Sequence, residues 1–105
     1  MKMNSQKELA EKLATACNKK SLEEVKNLLS EDGIDINFKL EGGYTALMVA
    51  INTRDNLDIV KYLCEKGADL SIASDTGWTA PTFARYCRQH KTGTYLDTIL
   101  KQGNS

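Results

Sequence analysis

Gly43-Tyr44-Thr45-Ala46-Leu47-Met48-Val49-Ala50 aligns without a gap on Gly77-Trp78-Thr79-Ala80-Pro81-Thr82-Phe83-Ala84, 34 residues downstream. Both copies run glycine, aromatic, threonine, alanine, then a helical stretch closing on alanine. Self-similarity at a period of this size marks stacked supersecondary units, none of which buries its own apolar face alone. A second block follows the first: Val60, Leu63, Cys64, Gly67, Ala68 and Asp69 match Val25, Leu28, Leu29, Gly33, Ile34 and Asp35 upstream. Downstream, Leu96, Ile99, Leu100 and Gly103 keep the internal spacing at an offset of 36 instead. That difference predicts a lengthened turn between the last two helices, bulging at the surface near Lys91-Thr92-Gly93.

Each unit reads as an extended turn followed by two antiparallel helices. Ser5-Gln6-Lys7-Glu8 has the form of a capping box, and Leu9, Leu13, Ala16 and Cys17 then recur at helical spacing, predicting a helix from about Ser5 to Asn18. Ser21-Leu22-Glu23-Glu24 is a second box, opening a helix that buries Leu22, Val25, Leu28 and Leu29. Asp55 or Asn56 is placed to cap the corresponding helix through Leu57, Val60, Leu63 and Cys64, and Thr94 to Asp97 is the expected start of the last one. Thr45 and Thr79 stand where a side-chain oxygen caps the first helix of a unit. Pro81 falls in a first turn, whose amides lack intrahelical partners. Gly33, Gly67 and Gly103 follow the second helices, where a left-handed residue closes the exposed carbonyls without a Cβ penalty.

Composition narrows the function classes. The chain of 105 residues, 41% hydrophobic, suits one small domain and leaves little for a second core. Lysine plus arginine equals aspartate plus glutamate at 14 each, so no global field recruits nucleic acid or an anionic membrane. From Thr76 onward, however, Asp97 is the sole acid against Arg85, Arg88, Lys91 and Lys101. No apolar run approaches the ~20 residues that cross a bilayer, and Met1-Lys2-Met3-Asn4-Ser5-Gln6 lacks the apolar core of a signal peptide. A cytoplasmic protein is expected. Cys17, Cys64 and Cys87, odd in number and widely spaced, read as reduced thiols packed in the core rather than as disulfides or a metal site.

These residues resemble the ankyrin repeat, whose pattern runs glycine, a variable residue, Thr-Pro-Leu-His and, two residues on, alanine, with Val-x-x-Leu-Leu-x-x-Gly-Ala-Asp later. Gly43 to Ala50 carries the first half, with alanine for the proline and methionine for the histidine, and Val60 to Asp69 carries the second. The resemblance implies an all-α solenoid of about three helix-turn-helix units joined by hairpin-like turns. The expected division is an N-terminal capping repeat over 5–38, a central repeat over 39–72 and a C-terminal capping repeat over 73–105. The polar end Lys101-Gln102-Gly103-Asn104-Ser105 and the opening methionine suit a stand-alone protein.

The resemblance also implies recognition through the turn tips and first helices, which form a continuous concave face. Its candidate partner-binding positions are Lys39, Glu41, Tyr44, Met48 and Asn52 in the central unit, and Asp75, Trp78, Thr82, Arg85 and Tyr86 in the next. Tyr44 and Trp78 are equivalent residues one repeat apart, and each is either a binding hot spot or packing between turns. Arg85, Arg88, His90 and Lys91 form a basic group suited to a partner with an acidic surface, or to a solvated helix end. A single cluster on a neutral chain argues against nucleic acid. Cys87 and His90, three residues apart, are the one pairing that resembles a nucleophile and base, but nothing evident orients the histidine and a thin solenoid excludes little water. Gly42-Gly43 has no lysine following it and is a turn pair, not a phosphate cradle. The expectation is a non-enzymatic adaptor or inhibitory binder of proteins, monomeric when free, without cofactor or metal. The alternative is an assembly subunit, or a piece of a longer array, docking through its terminal helices.

Overall fold

The computed structural model describes residues 5–30 and 34–103, and places in them six α-helices and one short 3-10 turn. They are α1 (Ser5–Asn18), α2 (Leu22–Leu29), α3 (Ala46–Asn52), α4 (Leu57–Glu65), α5 (Ala80–Tyr86) and α6 (His90–Gly103). The first helices α1, α3 and α5 pack side by side in that order, and α2, α4 and α6 form a second layer behind them. The core lies between the layers: Leu13, Ala16, Cys17, Val25, Leu47, Ile51, Val60, Leu63, Phe83 and Leu96 are all buried. The result is a solenoid measuring 41 × 29 × 29 Å.

The expected helix-turn-helix units are present, and their connections repeat in detail. In the central tip Leu40 N–H donates to Tyr44 O at 2.7 Å and Gly43 N–H to Leu40 O at 2.8 Å. Ser74, Trp78 and Gly77 repeat both bonds 34 residues on, at 2.8 and 2.9 Å. Adjacent tips are tied by Asp75 N–H donating to Gly42 O at 2.9 Å. Asn37 links neighbouring units: its Oδ1 accepts from Asp69 N–H at 2.8 Å and its Nδ2 donates to Gly67 O. Behind the stack, Lys26 sits over the Tyr62 ring and Lys61 over the Tyr95 ring, both at 5.6 Å, so cation–π contacts step from one unit to the next.

Several expectations about helix ends change. Ser21 Oγ accepts from Glu24 N–H and Thr45 Oγ1 from Met48 N–H, as the capping readings require. Asn56 precedes α4 but does not cap it; its side chain turns inward, as described below. Thr79 Oγ1 pairs with Thr82 Oγ1 at 3.1 Å instead of a backbone amide, and Pro81 occupies the first turn of α5. The bulge at Lys91-Thr92-Gly93 does not exist. The inserted residues start α6 about a turn early in the register of α4, and with two more residues at its end α6 has 14 residues against 8 and 9 in α2 and α4. Gly103 accordingly lies inside the last helix, not beyond it. The Ser5 side chain and Gly33 lie outside the described residues.

A left-handed residue closes each first helix. Lys20, Asp55 and Arg88 have φ of 61°, 59° and 59°, and none is glycine. At the first and third turns the bonding is that of a Schellman cap: Lys20 N–H donates to Cys17 O and Ser21 N–H to Ala16 O, matched by Arg88 to Arg85 and Gln89 to Ala84. The left-handed conformation costs a non-glycine residue about 1 kcal/mol. Lys20→Gly and Arg88→Gly, both at exposed positions, are each expected to raise stability by about 0.5 kcal/mol, which denaturant titration will measure.

Register also fixes what the end of the stack presents. Cys17, Ile51 and Arg85 are equivalent residues, each one position past the alanine that closes the repeated block. Cys17 and Ile51 are buried, while Arg85, in the last first-layer helix among the described residues, is exposed.

Candidate functional site

The first helices and tips enclose an open groove of about 1100 Å³. One wall is α1, through Lys7, Glu11 and Thr15, residues spaced four apart and therefore stacked on one helix face. The opposite rim is the central tip, with Lys39, Leu40 and Glu41, and Ala14, Val49, Phe38, Tyr44 and Phe83 give the floor an apolar character. Two lysines and two glutamates face one another across it with no net charge. A bipolar rim over an apolar floor sets the orientation of a bound chain and supplies burial at its centre.

Five predicted residues, Lys39, Glu41, Tyr44, Met48 and Asn52, come together here. Lys39, Glu41 and Asn52 are exposed, but Met48 is 1% exposed, so it supports the floor and offers almost no surface. The α1 wall was not among the predicted positions. Its signal was the polar spacing Lys7, Glu11, Thr15, legible once α1 was placed beside α3.

The next unit continues the groove as an aromatic shelf. Phe83 lies 5.8 Å from Tyr44 and 6.4 Å from Trp78, ring centre to ring centre, and Trp78 lies 4.8 Å from Tyr86 at an interplanar angle of 38°. Tyr44 and Trp78 therefore pack through Phe83 and remain half-buried, while Tyr86 at the end of the shelf is 67% exposed. Thr82 is exposed on the same helix, and the exposed Asp75 sits on the third tip, against Gly43. Arg85 points elsewhere: it lines a shallow hollow between α5 and α6 with Gln89, His90, Thr94 and Asp97. The basic group expected as one edge is thus spread out: Arg88 lies in the α5–α6 turn, and His90 and Lys91 open α6 beside the α3–α4 turn.

Cys87 and His90 line one hollow, but the Cys87 thiol donates to Asn52 Oδ1 at 3.6 Å and burial holds its pKa above the ordinary thiol value. That lowers the thiolate population a nucleophile needs. Burial pushes Cys64 up to about 11 and the fully enclosed Cys17 up to about 12. All three are free. A disulfide reagent at pH 8 is expected to modify Cys87 first and slowly, then Cys64, with Cys17 reacting only when the chain unfolds. Mass spectrometry of quenched samples will read the order. Among the described residues no group of three or more His, Cys, Asp or Glu side chains is placed to hold a metal, and no helix is long and apolar enough to cross a membrane.

Stacked helix pairs with projecting tips and an open concave face define a repeat solenoid built for surface recognition. The family profile described as ankyrin repeats, in three copies, matches residues 6–97, and the chain belongs to that family. It is similar to the mitochondrial disaggregase of Homo sapiens, 43% identical over 63 residues, a match covering 60% of this chain and 9% of that protein. Among solved structures it is similar to a chain in the complex of the Bdellovibrio bacteriovorus predatory endopeptidase Bd0816 with immunity protein Bd3460, with a TM-score of 0.77, 36% identity, and coverage of 83% of this chain and 45% of that one. The ankyrin repeat protein EF0377 is similar at a TM-score of 0.74 and 36% identity, over 81% of this chain and 45% of that chain. The chain thus spans about a tenth of that curated relative and under half of each structural neighbour. Ankyrin repeats are general protein–protein interaction modules and are characteristically non-catalytic.

Proposed function

We propose that this chain is a small adaptor or regulatory inhibitor that holds a segment of a protein partner in the groove between α1, α3 and the tips, with the aromatic shelf extending the contact. The observation that carries this reading is the groove itself, whose apolar floor, bipolar rim and exposed Tyr86 offer a recognition surface. An inhibitory role is supported by analogy with the structural neighbour solved in the complex of an endopeptidase with an immunity protein. Masking a partner needs no chemistry of its own. Three free cysteines suit the reducing cytoplasm. We read the chain as a monomer when free, since among the described residues the large exposed hydrophobics are Tyr86 and Leu100, on different helices. Sedimentation at rising concentration tests that point.

Site-specific photo-crosslinking tests the groove. A crosslinker at Asn52 is expected to capture the partner, and one at Lys61 on the back of the stack is not; equal capture at both would sink the proposal. Trp78→Ala is expected to weaken binding by about 2 kcal/mol, as truncation of a hot-spot aromatic does. If that variant unfolds, Tyr86→Ala replaces it, because Tyr86 is mostly solvent-exposed.

A further inference from the structure

Away from the groove, the chain has a second surface of different character. The α3–α4 and α5–α6 turns lie at the far end of the helices from the tips. There Arg54, Arg88, His90 and Lys91 line a hollow of about 640 Å³. All four side chains are exposed. Lys19 with Glu24, at 3.5 Å, is the one ion pair among the described residues, so Arg54, Arg88 and Lys91 have no ion-pair partner among them. Asp55 and Asp58 line the same hollow without closing a pair with them.

Lys91 is poorly placed for stability. Glu23 and Glu24 occupy the first turn of α2, and Asp58 that of α4, where negative charge complements the helix dipole. The first turn of α6 has no acid and carries Lys91, putting positive charge on the positive end. Folding gains nothing from that arrangement. A ligand carrying negative charge would.

We propose that this surface docks an extended, carboxylate-rich segment of a protein partner. The positive groups come from two adjacent units, whose helices pack about 8–10 Å apart. At about 3.3 Å per residue, an extended chain spans that gap with acidic side chains roughly three residues apart. One compact phosphate does not. Asp55 and Asp58 oppose every anion at this surface, and spaced carboxylates on a peptide can avoid them where the fixed charges of a continuous nucleic-acid strand cannot. Charge complementarity of this kind supplies orientation and on-rate. The surface is separate from the groove, so either proposal can fail without the other.

The test is a titration of the isotopically labelled full chain with hexaglutamate, with hexaglutamine and a thymidine oligonucleotide as comparisons. Hexaglutamate is expected to shift the backbone amide resonances of Arg54, Arg88, His90 and Lys91, and to lose affinity as salt rises. Arg54→Gln with Arg88→Gln should weaken it about tenfold or more, and Lys12→Gln, which removes an exposed cation on α1 away from both surfaces, should leave it unchanged. Asp55→Asn, which keeps a residue tolerant of the left-handed backbone, should tighten it severalfold. The proposal is overturned by equal response to hexaglutamine, by shifts mapping elsewhere, by unchanged affinity in the double variant, by weaker binding to Asp55→Asn, or by tighter binding of the oligonucleotide.

Discussion

Gly43→Ala will destabilise the chain by about 3 kcal/mol, roughly 15 °C in the unfolding midpoint for a domain of this size. Gly43 is buried at the tip of the central unit with φ of +80°. A Cβ there would lie 2.6 Å from Asp75 Oδ1 and 2.7 Å from Asp75 N. The carboxylate can rotate away, but the amide cannot, since it donates to Gly42 O in the bond that ties the second tip to the third. Gly77 is the control. Its φ is +93°, yet nothing lies within 4 Å of an added Cβ, so Gly77→Ala should cost only the backbone term of about 1 kcal/mol. Thermal unfolding of both variants separates steric exclusion from strain, and equal losses would refute the close approach of the tips.

Asn56→Ala is expected to cost about 2 kcal/mol. The Asn56 amide is 5% exposed, and its Nδ2 donates to Cys17 O at 2.8 Å and to Ala50 O at 3.3 Å. One side chain thus joins the ends of α1 and α3 at the start of α4. Asn56→Asp should lose more, because a carboxylate facing two carbonyl oxygens is repelled by both. The same repulsion would raise its folded pKa above the unfolded value. The variant therefore keeps its stability at low pH, while the carboxyl is protonated, and loses it as pH rises through the folded pKa. The difference in unfolding midpoint between Asn56→Asp and wild type should be larger at pH 7 than at pH 3.5. A pH-independent difference would mean that the side chain is hydrated.

The period of 34 made the architecture legible, because Gly43 to Ala50 and Gly77 to Ala84 impose the same tip bonds and the same helix start on successive units. Spacing failed where two solutions have similar local energy. The insertion near Lys91-Thr92-Gly93 could enlarge a turn or lengthen a helix, and the Schellman cap at Arg88 lets α6 begin at once. Asn56 misled for a related reason: its position is that of an N-cap, but the two carbonyls that draw its side chain away include one 39 residues distant. The groove was partly legible. Tyr44, Lys39, Glu41 and Asn52 followed from their places in the repeat, whereas Lys7, Glu11 and Thr15 needed the packing of α1 on α3, and the shelf needed Phe83 as the ring that joins Tyr44 to Trp78.

Arg85 determines how the solenoid could be lengthened. Each unit is a template for the next, and the template is read at the position held by Cys17 and Ile51 in the first two. A fourth unit engineered onto α5 would have to bury a guanidinium there, and desolvating an unpaired charge costs more than an aliphatic contact returns. Arg85→Ile would remove that barrier, at the risk of leaving an adhesive end in the unextended chain. Replacing that charge is therefore the first substitution for anyone stacking a further unit on α5 from this sequence.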